Sequence, residues 1–305
     1  MYIEDLKFSL WADFIERDYL DNEFKDLIDS KTINGATSNP AIFKNAILTS
    51  PAYKEQLATL KHLSAKQKYE ALAIYDIQKA ADILKPLFDK NDDGYVSIEV
   101  DPFLCDDAES TIKEGKRLFK EINRQNVMIK VPATNAGYKA MKELVSIGIP
   151  VNATLIFKQE QALSCAKAFE DGVKAYGKKV DTVISVFVSR IDRTLDSELE
   201  KNNIKPALSG IYNTLNIYES IESLSILGCR VLFASTGVKG DSLSPHYYIE
   251  NLLAFNSVNT APIDTIKSFN SFGDKSKKIV VTKEEIQVHF EKIKKIGIDF
   301  DKVLD

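Results

Sequence analysis

Cysteine, histidine and methionine are scarce in this chain: each occurs three times in 305 residues, and tryptophan occurs once. The cysteines are odd in number and lack CxxC spacing, which argues against a disulfide framework and against a structural zinc site. The histidines lie far apart, and no HExxH pattern surrounds any of them. We therefore expect no metal centre.

A surplus of one charge and long apolar runs are also missing. The chain has 40 Lys and Arg against 44 Asp and Glu, and the basic residues are scattered among the acidic ones. Because nucleic-acid binding needs a basic face, we expect no nucleic-acid partner. No apolar run approaches the roughly 20 residues that span a bilayer, and the N-terminal segment lacks the layout of a secretory signal. We expect a cytoplasmic protein without a membrane partner.

What the chain does contain is alternating strand and helix patterns. The segments "VMIKVP", "PVNATLIF" and "TVISVFV" are short apolar runs typical of buried parallel strands. Between the first two, the pattern predicts a helix capped by Asn135 and stopped near Gly148, and a second helix begins near Lys158. Such alternation with short connections indicates a parallel sheet with right-handed crossovers.

The same unit repeats on both sides of this region. Upstream lie "FSLWAD", "TINGATSNP", a long helix opened by Ser64, the strand "YVSIEVD" and a helix from Asp107 to Ile122; downstream lie "CRVLFAST" and "SVNTAP". About eight strands in a length near the ~250 residues typical of such barrels predict an α/β fold, a single eight-stranded (β/α)8 TIM barrel. Because no linker divides the chain, residues 1–305 are expected to form one domain. A doubly wound open sheet is the alternative, but no GxGxxG follows an early strand.

The C-terminal segment after residue 281 alternates charged residues with Ile286, Phe290 and Ile293 at helical spacing. This pattern predicts an additional C-terminal helix that folds against the barrel. The segment either contributes to a homodimer contact or covers the active site, and the residues leave both interpretations open.

On each predicted strand the polar residues occupy every second position, together with a few large apolar residues. The set comprises Trp11 and Asp13; Thr37 and Asn39; Ser97, Glu99 and Asp101; Met128 and Lys130; Asn152 and Thr154; and Ser185 and Phe187. Side chains alternate between the two faces of a strand, and in a barrel one of these faces points inward. The polar set is therefore expected to converge on the barrel axis.

Lys130 is the least expected member of this set, because an ammonium group is rarely buried in an apolar strand. Its neighbours across the sheet should be Glu99 on one side and Asn152 or Thr154 on the other. One interpretation is a structural ion pair with Glu99, although buried pairs often stabilise a fold no more than apolar residues do. The other is a nucleophilic amine that forms a Schiff base with a carbonyl and lets a carbon–carbon bond break. Burial favours the neutral amine, whereas an ionised Glu99 favours the ammonium, and the sequence leaves the balance open.

Eight segments in one order resemble the transaldolases of the pentose phosphate pathway, from about Leu10 to Pro262. They are "WAD", "ATSNPAIF", "YVSIEVDP", "VMIKVPAT", "GIPVNATLIF", "VISVFVSRIDR", "LFASTGVK" and "SVNTAP". The resemblance implies a class I aldolase-type barrel that needs no cofactor. It also implies sugar-phosphate substrates: a dihydroxyacetone unit would move from sedoheptulose 7-phosphate to glyceraldehyde 3-phosphate, giving erythrose 4-phosphate and fructose 6-phosphate.

The resemblance also implies residue roles. Lys130 would be the Schiff-base lysine, and Asp13 the general base that takes a hydroxyl proton as the carbon–carbon bond breaks. Glu99 and Thr154 would hold the catalytic water that relays protons. The implied substrate-binding residues are Thr37, Asn39, Asn152, Ser185 and Phe187.

The phosphate end of the implied site departs from the common pattern. Arg190 matches the family's phosphate arginine, and a guanidinium suits an oxyanion. Many transaldolases also carry Ser-x-Arg after the seventh strand, whereas this chain has Ser235 followed by Gly237 at the arginine's place. The chain resembles a second branch in which a lysine two residues later, Lys239, substitutes; the alternative is that Lys239 is simply solvated.

Other functions are compatible with the same fold. A fructose 6-phosphate aldolase would keep the lysine but release free dihydroxyacetone, and a non-catalytic protein would only bind sugar phosphates. The presence of Asp13, Glu99, Lys130 and Thr154 argues against the non-catalytic alternative, and chain length and Glu99 favour transfer over release. A metal-dependent aldolase is disfavoured by the lack of a ligand set.

Overall fold

The computed structural model describes residues 2–277 and 279–304, and its strands form one sheet. The strands are β1 Tyr2–Ile3, β2 Phe8–Ala12, β3 Gly35–Thr37, β4 Tyr95–Glu99, β5 Val127–Pro132, β6 Val151–Ile156, β7 Thr182–Phe187, β8 Cys229–Ala234 and β9 Val258–Ala261. Strands β2 to β9 pair in parallel in sequence order, and β2 also pairs in parallel with β9. The eight parallel strands therefore close into a barrel, which confirms the predicted (β/α)8 fold, while β1 adds to β2 in antiparallel.

Helices follow most of the strands and surround the barrel. They are α1 Arg17–Asp21, α2 Glu23–Asp29, α3 Pro40–Thr49, α4 Lys54–Thr59, α5 Ala65–Phe88, α6 Ala108–Ile122, α7 Asn135–Val145, α8 Gln159–Tyr176, α9 Ser189–Lys201, α10 Ser209–Ser223, α11 Tyr247–Glu250, α12 Ile263–Phe272, α13 Lys283–Lys295 and α14 Phe300–Val303. Among these described helices, none combines the length and the apolar character needed to cross a bilayer.

The helix starts follow the capping residues of the sequence, with one correction. Ser64 caps α5, as predicted, and the structure adds that it does so in a capping box with Gln67. The N-cap of α7 is Thr134 instead of the predicted Asn135: its Oγ1 accepts a hydrogen bond of 3.0 Å from the Gly137 backbone N–H. Thr134 has the extended backbone that a cap requires, whereas Asn135 is already helical.

Alternate strand residues pack into two different apolar layers. Val127, Ile129 and Val131 of β5 are fully buried in the layer between the strands and the helices. Met128 of the same strand lies inside the barrel, in a cluster with Trp11 and with others from neighbouring strands. The two-residue period of the sequence therefore separates an outer core from an interior face.

The interior is closed at the amino ends of the strands. Arg230 Nη2 lies 2.6 Å from Asp93 Oδ1, and Trp11 Nε1 donates to Asp93 Oδ2 at 2.8 Å. Arg230 Nη1 also donates to Ser9 Oγ at 3.3 Å. The Trp11 indole fits here because β3 begins at Gly35, where an added Cβ would lie 2.5 Å from the ring. The open end is the carboxyl end of the strands, where barrel enzymes place their active sites.

The predicted C-terminal helix is present but consists of two pieces. A capping box of Thr282 and Glu285 opens α13, which buries Ile286, His289 and Ile293. Gly297 follows in the left-handed region at φ 84°, and the chain then forms α14. The terminal segment 296–304 packs with Ile293 against the apolar face of α9 in the same barrel.

Candidate active site

Lys130 lies in the barrel interior on β5 and is 8 % exposed. It pairs in register with Glu99 of β4 on one side and Asn152 of β6 on the other. Its Nζ lies 3.5 Å from Glu99 Oε2 and donates to the Ser38 carbonyl oxygen at 3.3 Å. The amine is therefore placed between one carboxylate and one backbone carbonyl.

Glu99 ends β4 at the rim of the interior, and its side chain is 13 % exposed. It also lines a cavity of about 240 Å³ between the strand and the surrounding helices, together with Tyr69. Burial, followed by the charge of Glu99, raises the pKa of Tyr69 to about 12.

Asp101 shares the parity of Glu99 but does not join the site. It lies beyond the end of β4, accepts a hydrogen bond from the Phe103 backbone N–H and forms an ion pair with Lys66. The expectation that Asp101 faces the axis is therefore wrong, because the alternation of faces ends where the strand ends.

Asp13 follows β2 at the same end of the barrel. Its Oδ1 accepts a hydrogen bond of 2.7 Å from Thr37 Oγ1 on β3. Thr37 Oγ1 also lies 2.6 Å from Thr260 Oγ1 on β9. Thr37 of β3 therefore orients the Asp13 carboxylate, while the Asp13 backbone N–H donates to the Ala261 carbonyl and holds the backbone of Asp13 beside β9.

A buried hydrogen-bonded chain connects three strands of the interior. Ser185 Oγ donates to Asn152 Oδ1 at 2.7 Å, and Asn152 Nδ2 donates to Ser97 Oγ at 3.3 Å. Both ends of the Asn152 amide therefore have a hydroxyl partner. Thr154, two residues further along β6, has a buried Oγ1 without a hydrogen-bond partner among the described residues. An unpaired buried hydroxyl costs stability, so a bound water or substrate hydroxyl suits this position.

Asn39 has a structural contact in addition to its place at the rim. It is the N-cap of α3, and its Oδ1 accepts a hydrogen bond of 3.0 Å from the Ile42 backbone N–H. The cap orients the carboxamide and leaves Nδ2 as the group that is suited to donate to a ligand.

The regular alternation of inward-facing and outward-facing residues in β6 is interrupted just beyond Thr154. Leu155 has φ 60°, the register with β7 shifts between Ala153 and Ile156, and the Leu155 side chain is 40 % exposed. A bulge of this kind adds one residue and reverses the faces that follow it. Ile156 consequently packs into the outer core, and Phe157 packs against the interior cluster.

Arg190 lies in the first turn of α9, just beyond Phe187 of β7. Its guanidinium carbon lies 4.7 Å from the centre of the Phe187 ring, and that ring lies 5.2 Å from the Phe157 ring. Arg190 itself is exposed. A guanidinium at a helix N-terminus is a favourable arrangement for an anion.

The remaining predicted phosphate residues follow β8. Ser235, at φ 57°, has its Oγ 3.2 Å from Ser189 Oγ, next to Arg190. Lys239 is exposed in the loop after Ser235. The structure therefore joins Ser235 to the start of α9 and leaves Lys239 at the surface.

Two polar groups next to this site were not identified from the sequence. The Ser38 carbonyl contacts the Lys130 amine, and Thr260 contacts Thr37. Thr260 has the same parity on β9 as Val258 of the interior cluster, so the alternation used for the other strands would have identified it. A backbone carbonyl gives no residue-type signal. Across residues 2–277 and 279–304, no group of three or more His, Cys, Asp or Glu side chains is placed to hold a metal ion.

Comparison with known proteins identifies the family of this chain. Residues 10–305 match the family described as Transaldolase/Fructose-6-phosphate aldolase. A transaldolase of Campylobacter jejuni subsp. doylei is 50% identical over 284 residues, which cover 90% of this chain and 86% of that protein. A transaldolase of Helicobacter pylori strain Shi470 is 43% identical over 296 residues, which cover 97% of this chain and 92% of that protein. The chain is thus a transferase enzyme and belongs to the transaldolase/fructose-6-phosphate aldolase family.

Proposed function

We propose that the enzyme is a transaldolase that works through a Schiff base on Lys130. It moves a dihydroxyacetone unit from sedoheptulose 7-phosphate to glyceraldehyde 3-phosphate and gives erythrose 4-phosphate and fructose 6-phosphate. The observation that carries the proposal is the buried Lys130 amine, 3.5 Å from Glu99 at the open end of the barrel. The relatives named transaldolase support transfer as the reaction.

In the first half-reaction, the neutral Lys130 amine attacks the ketone carbon C2 of the donor and forms a carbinolamine. A water held by Glu99 and Thr154 carries protons to and from this adduct, so that its hydroxyl leaves as water and an iminium ion remains. Asp13 takes the proton of the C4 hydroxyl. The C3–C4 bond then breaks, its electron pair moves into the iminium to give an enamine, and the aldose phosphate leaves.

In the second half-reaction, the enamine carbon attacks the aldehyde carbon of the acceptor. Asp13 returns its proton to the new hydroxyl group, and the iminium ion forms again. Water adds to the iminium with the help of Glu99, and the bond between carbon and Nζ breaks. The ketose phosphate leaves and the Lys130 amine is restored, so atoms and protons balance over one cycle.

Substrate recognition is assigned to the polar groups around these three residues. Asn39, Asn152 and Ser185 bind hydroxyl groups of the bound sugar in this proposal, and Thr37 and Phe187 line its path. Arg190 binds the phosphate at the N-terminus of α9, a position that favours anions. Ser235 and the exposed Lys239 complete the phosphate end.

Reduction with borohydride in the presence of fructose 6-phosphate tests the proposal. We expect the intact mass to increase by a reduced three-carbon adduct and peptide mapping to place it on Lys130. Lys130→Met should form no adduct, whereas Lys142→Met, a change on the exposed face of α7, should react normally. An adduct on another lysine, or none, would overturn the mechanism.

The family description also names fructose-6-phosphate aldolase, which makes release of dihydroxyacetone the alternative outcome. Supplying fructose 6-phosphate with and without erythrose 4-phosphate separates transfer from release. We expect sedoheptulose 7-phosphate to form with the acceptor, and little free dihydroxyacetone to form without it. Equal consumption of fructose 6-phosphate in both mixtures would indicate an aldolase.

A further inference from the structure

Phe157 packs against two separate apolar clusters. One is the interior cluster of the barrel, which contains Phe187 at the carboxyl end of β7. The other is the cluster formed by α9 and the C-terminal segment, which contains Ile293 and Phe300. Phe157 therefore connects the terminal segment to the wall of the active site.

The bulge in β6 is what gives Phe157 this place. Strict alternation from Thr154 would turn Ile156 inward and Phe157 outward, and the extra residue at Leu155 reverses this. A leucine at positive φ is strained by about 1–2 kcal/mol, and such strain persists where surrounding contacts determine the conformation. A functional reason for the bulge is thus expected.

Hydrogen bonds fix the backbone of Phe157 from two helices. Its N–H donates to Gln161 Oε1 at 3.0 Å, and its carbonyl accepts from Asn213 Nδ2 at 2.8 Å. With both backbone groups held, the direction of the ring is determined by the neighbouring side chains.

The Phe157 ring supports Phe187, and Phe187 supports Arg190. The two rings lie 5.2 Å apart with an interplanar angle of 56°, and the Arg190 guanidinium lies 4.7 Å from the Phe187 ring. An exposed arginine has many rotamers, and an aromatic face beneath it restricts them and leaves its N–H groups directed outward.

The C-terminal segment packs against the second cluster, as Phe157 does. The Phe300 ring of α14 lies 4.5 Å from the Phe290 ring of α13 at an interplanar angle of 49°, and Leu304 packs against the same cluster. Phe157 and the end of the chain therefore pack against the same buried cluster, which includes Ile293.

We propose that Phe157 is a positioning residue that holds Arg190, through Phe187, in the orientation that binds the substrate phosphate, and that segment 296–304 supports Phe157 in this place. The inference rests on the proposed function, because it takes Arg190 as the phosphate ligand. It predicts an effect on the binding of phosphorylated substrates and none on the chemistry at Lys130.

Phe157→Leu tests the proposal, with Phe157→Tyr as the conservative variant that keeps the ring. Loss of an aromatic pair should raise KM for fructose 6-phosphate about tenfold, with kcat within about twofold of the wild type. Borohydride trapping of unphosphorylated dihydroxyacetone on Lys130 should be unchanged, and Phe157→Tyr should restore KM. Phe233→Leu is the matched control, since this buried ring lies 6.0 Å from the Tyr218 ring, at an angle of 56°, on the helix side of β8; the KM of this variant should be that of the wild type.

The C-terminal part of the proposal is tested by Phe300→Leu in the full-length chain. We expect KM to rise about threefold, and the double variant with Phe157→Leu to show no further increase beyond the Phe157 effect, because coupled residues are not additive. An additive increase, or no increase, would overturn the role of the segment.

Arg190→Leu separates failure of this inference from failure of the proposed function. If Arg190→Leu raises KM and Phe157→Leu does not, the inference is wrong and the phosphate role of Arg190 stands. If Phe157→Leu lowers kcat and dihydroxyacetone trapping as much as it raises KM, its role is general packing and the inference is wrong. If Arg190→Leu leaves KM unchanged, the phosphate assignment fails and the inference fails with it, whereas adduct formation on Lys130 still tests the reaction itself.

Discussion

Lys130 Nζ and Glu99 Oε2 are 3.5 Å apart, and the two side chains are 10% and 13% exposed. An ion pair in such a place loses hydration on both sides, and apolar residues of similar volume are often as stabilising. Stability alone therefore gives little reason for the pair. A nucleophilic amine with an acid–base group beside it gives a chemical reason.

Glu99→Gln keeps the volume of the side chain and removes its ability to exchange a proton. We expect kcat to fall by about 10²–10⁴-fold, the usual contribution of a general acid–base group. The rate of adduct formation under borohydride should fall with it. Asp101→Asn is the control, because Asp101 pairs with Lys66 outside the barrel. Wild-type turnover in Glu99→Gln would remove Glu99 from the mechanism.

Asp13→Asn should separate imine formation from bond cleavage. The amide still accepts the hydrogen bond that Thr37 Oγ1 gives to Oδ1, so the local structure should be kept. Without a base for the C4 hydroxyl, borohydride should trap a six-carbon phosphate adduct from fructose 6-phosphate, where the wild type gives a three-carbon adduct. Mass spectrometry distinguishes the two. A three-carbon adduct formed at the normal rate would show that another group is the base.

Thr154→Val should make the protein less active while it keeps its fold. The Thr154 hydroxyl has no hydrogen-bond partner among the described residues, so replacing it with a methyl group removes no contact within the protein and should change the free energy of unfolding by less than about 1 kcal/mol. Turnover should fall, because the catalytic water loses one contact. Thr37→Val is the contrasting variant: its hydroxyl contacts Asp13 and Thr260, so its loss should lower stability. Denaturant titration and steady-state rates measure both effects.

Asp192→Asn should change how stability depends on pH. Asp192 accepts hydrogen bonds from the Gly210 N–H and the Tyr248 hydroxyl, and burial raises its pKa from 3.8 to about 7, with the nearby Asp196 adding to this effect. Between these two values the folded state binds more protons than the unfolded state, so this group's contribution to stability is lost as pH rises. As pH rises from 4 to 7, the Tm of the variant should rise relative to the Tm of the wild type. A constant difference would contradict the pKa shift.

His289→Gln should have the opposite effect over an overlapping pH range. Burial lowers the pKa of His289 from 6.5 to about 4, with Lys292 contributing, and its Nε2 lies 2.9 Å from Ser209 Oγ. The unfolded chain binds a proton first as pH falls, so the contribution of His289 is lost from about 6.5 downward. As pH falls from 6.5 to 4, the Tm of the variant should decrease less than the Tm of the wild type. An equal loss in both proteins would show that His289 does not titrate in this way.

The barrel and the centre of its site could be predicted because β4 and β5, and β6 as far as Thr154, are regular. Regular alternation brings Glu99, Lys130 and Asn152 to one face, and their register follows from parallel pairing. The same rule failed at Asp101, where the strand had ended, because periodicity does not report the length of a strand.

The bulge at Leu155 could not be predicted for a different reason. Positive φ is usually signalled by Gly or Asn, and a leucine gives no such signal. Tertiary contacts of Phe157 determine the conformation there, and these join β6 to residues more than a hundred positions away in the chain. The cap at Thr134 was missed by one residue, since Thr and Asn are both good caps and the backbone decides between them.

The floor made by Arg230, Asp93 and Trp11 has a consequence for the order of events. Because the barrel interior is closed at the amino ends of the strands, ligands enter and leave at the carboxyl ends. In the proposed reaction the aldose product and the incoming aldehyde therefore compete for the same opening. The three-carbon fragment waits on the protein while they exchange. If the proposed mechanism holds, the fragment meets water during that exchange, and the balance between transfer and release then depends on how quickly the acceptor enters.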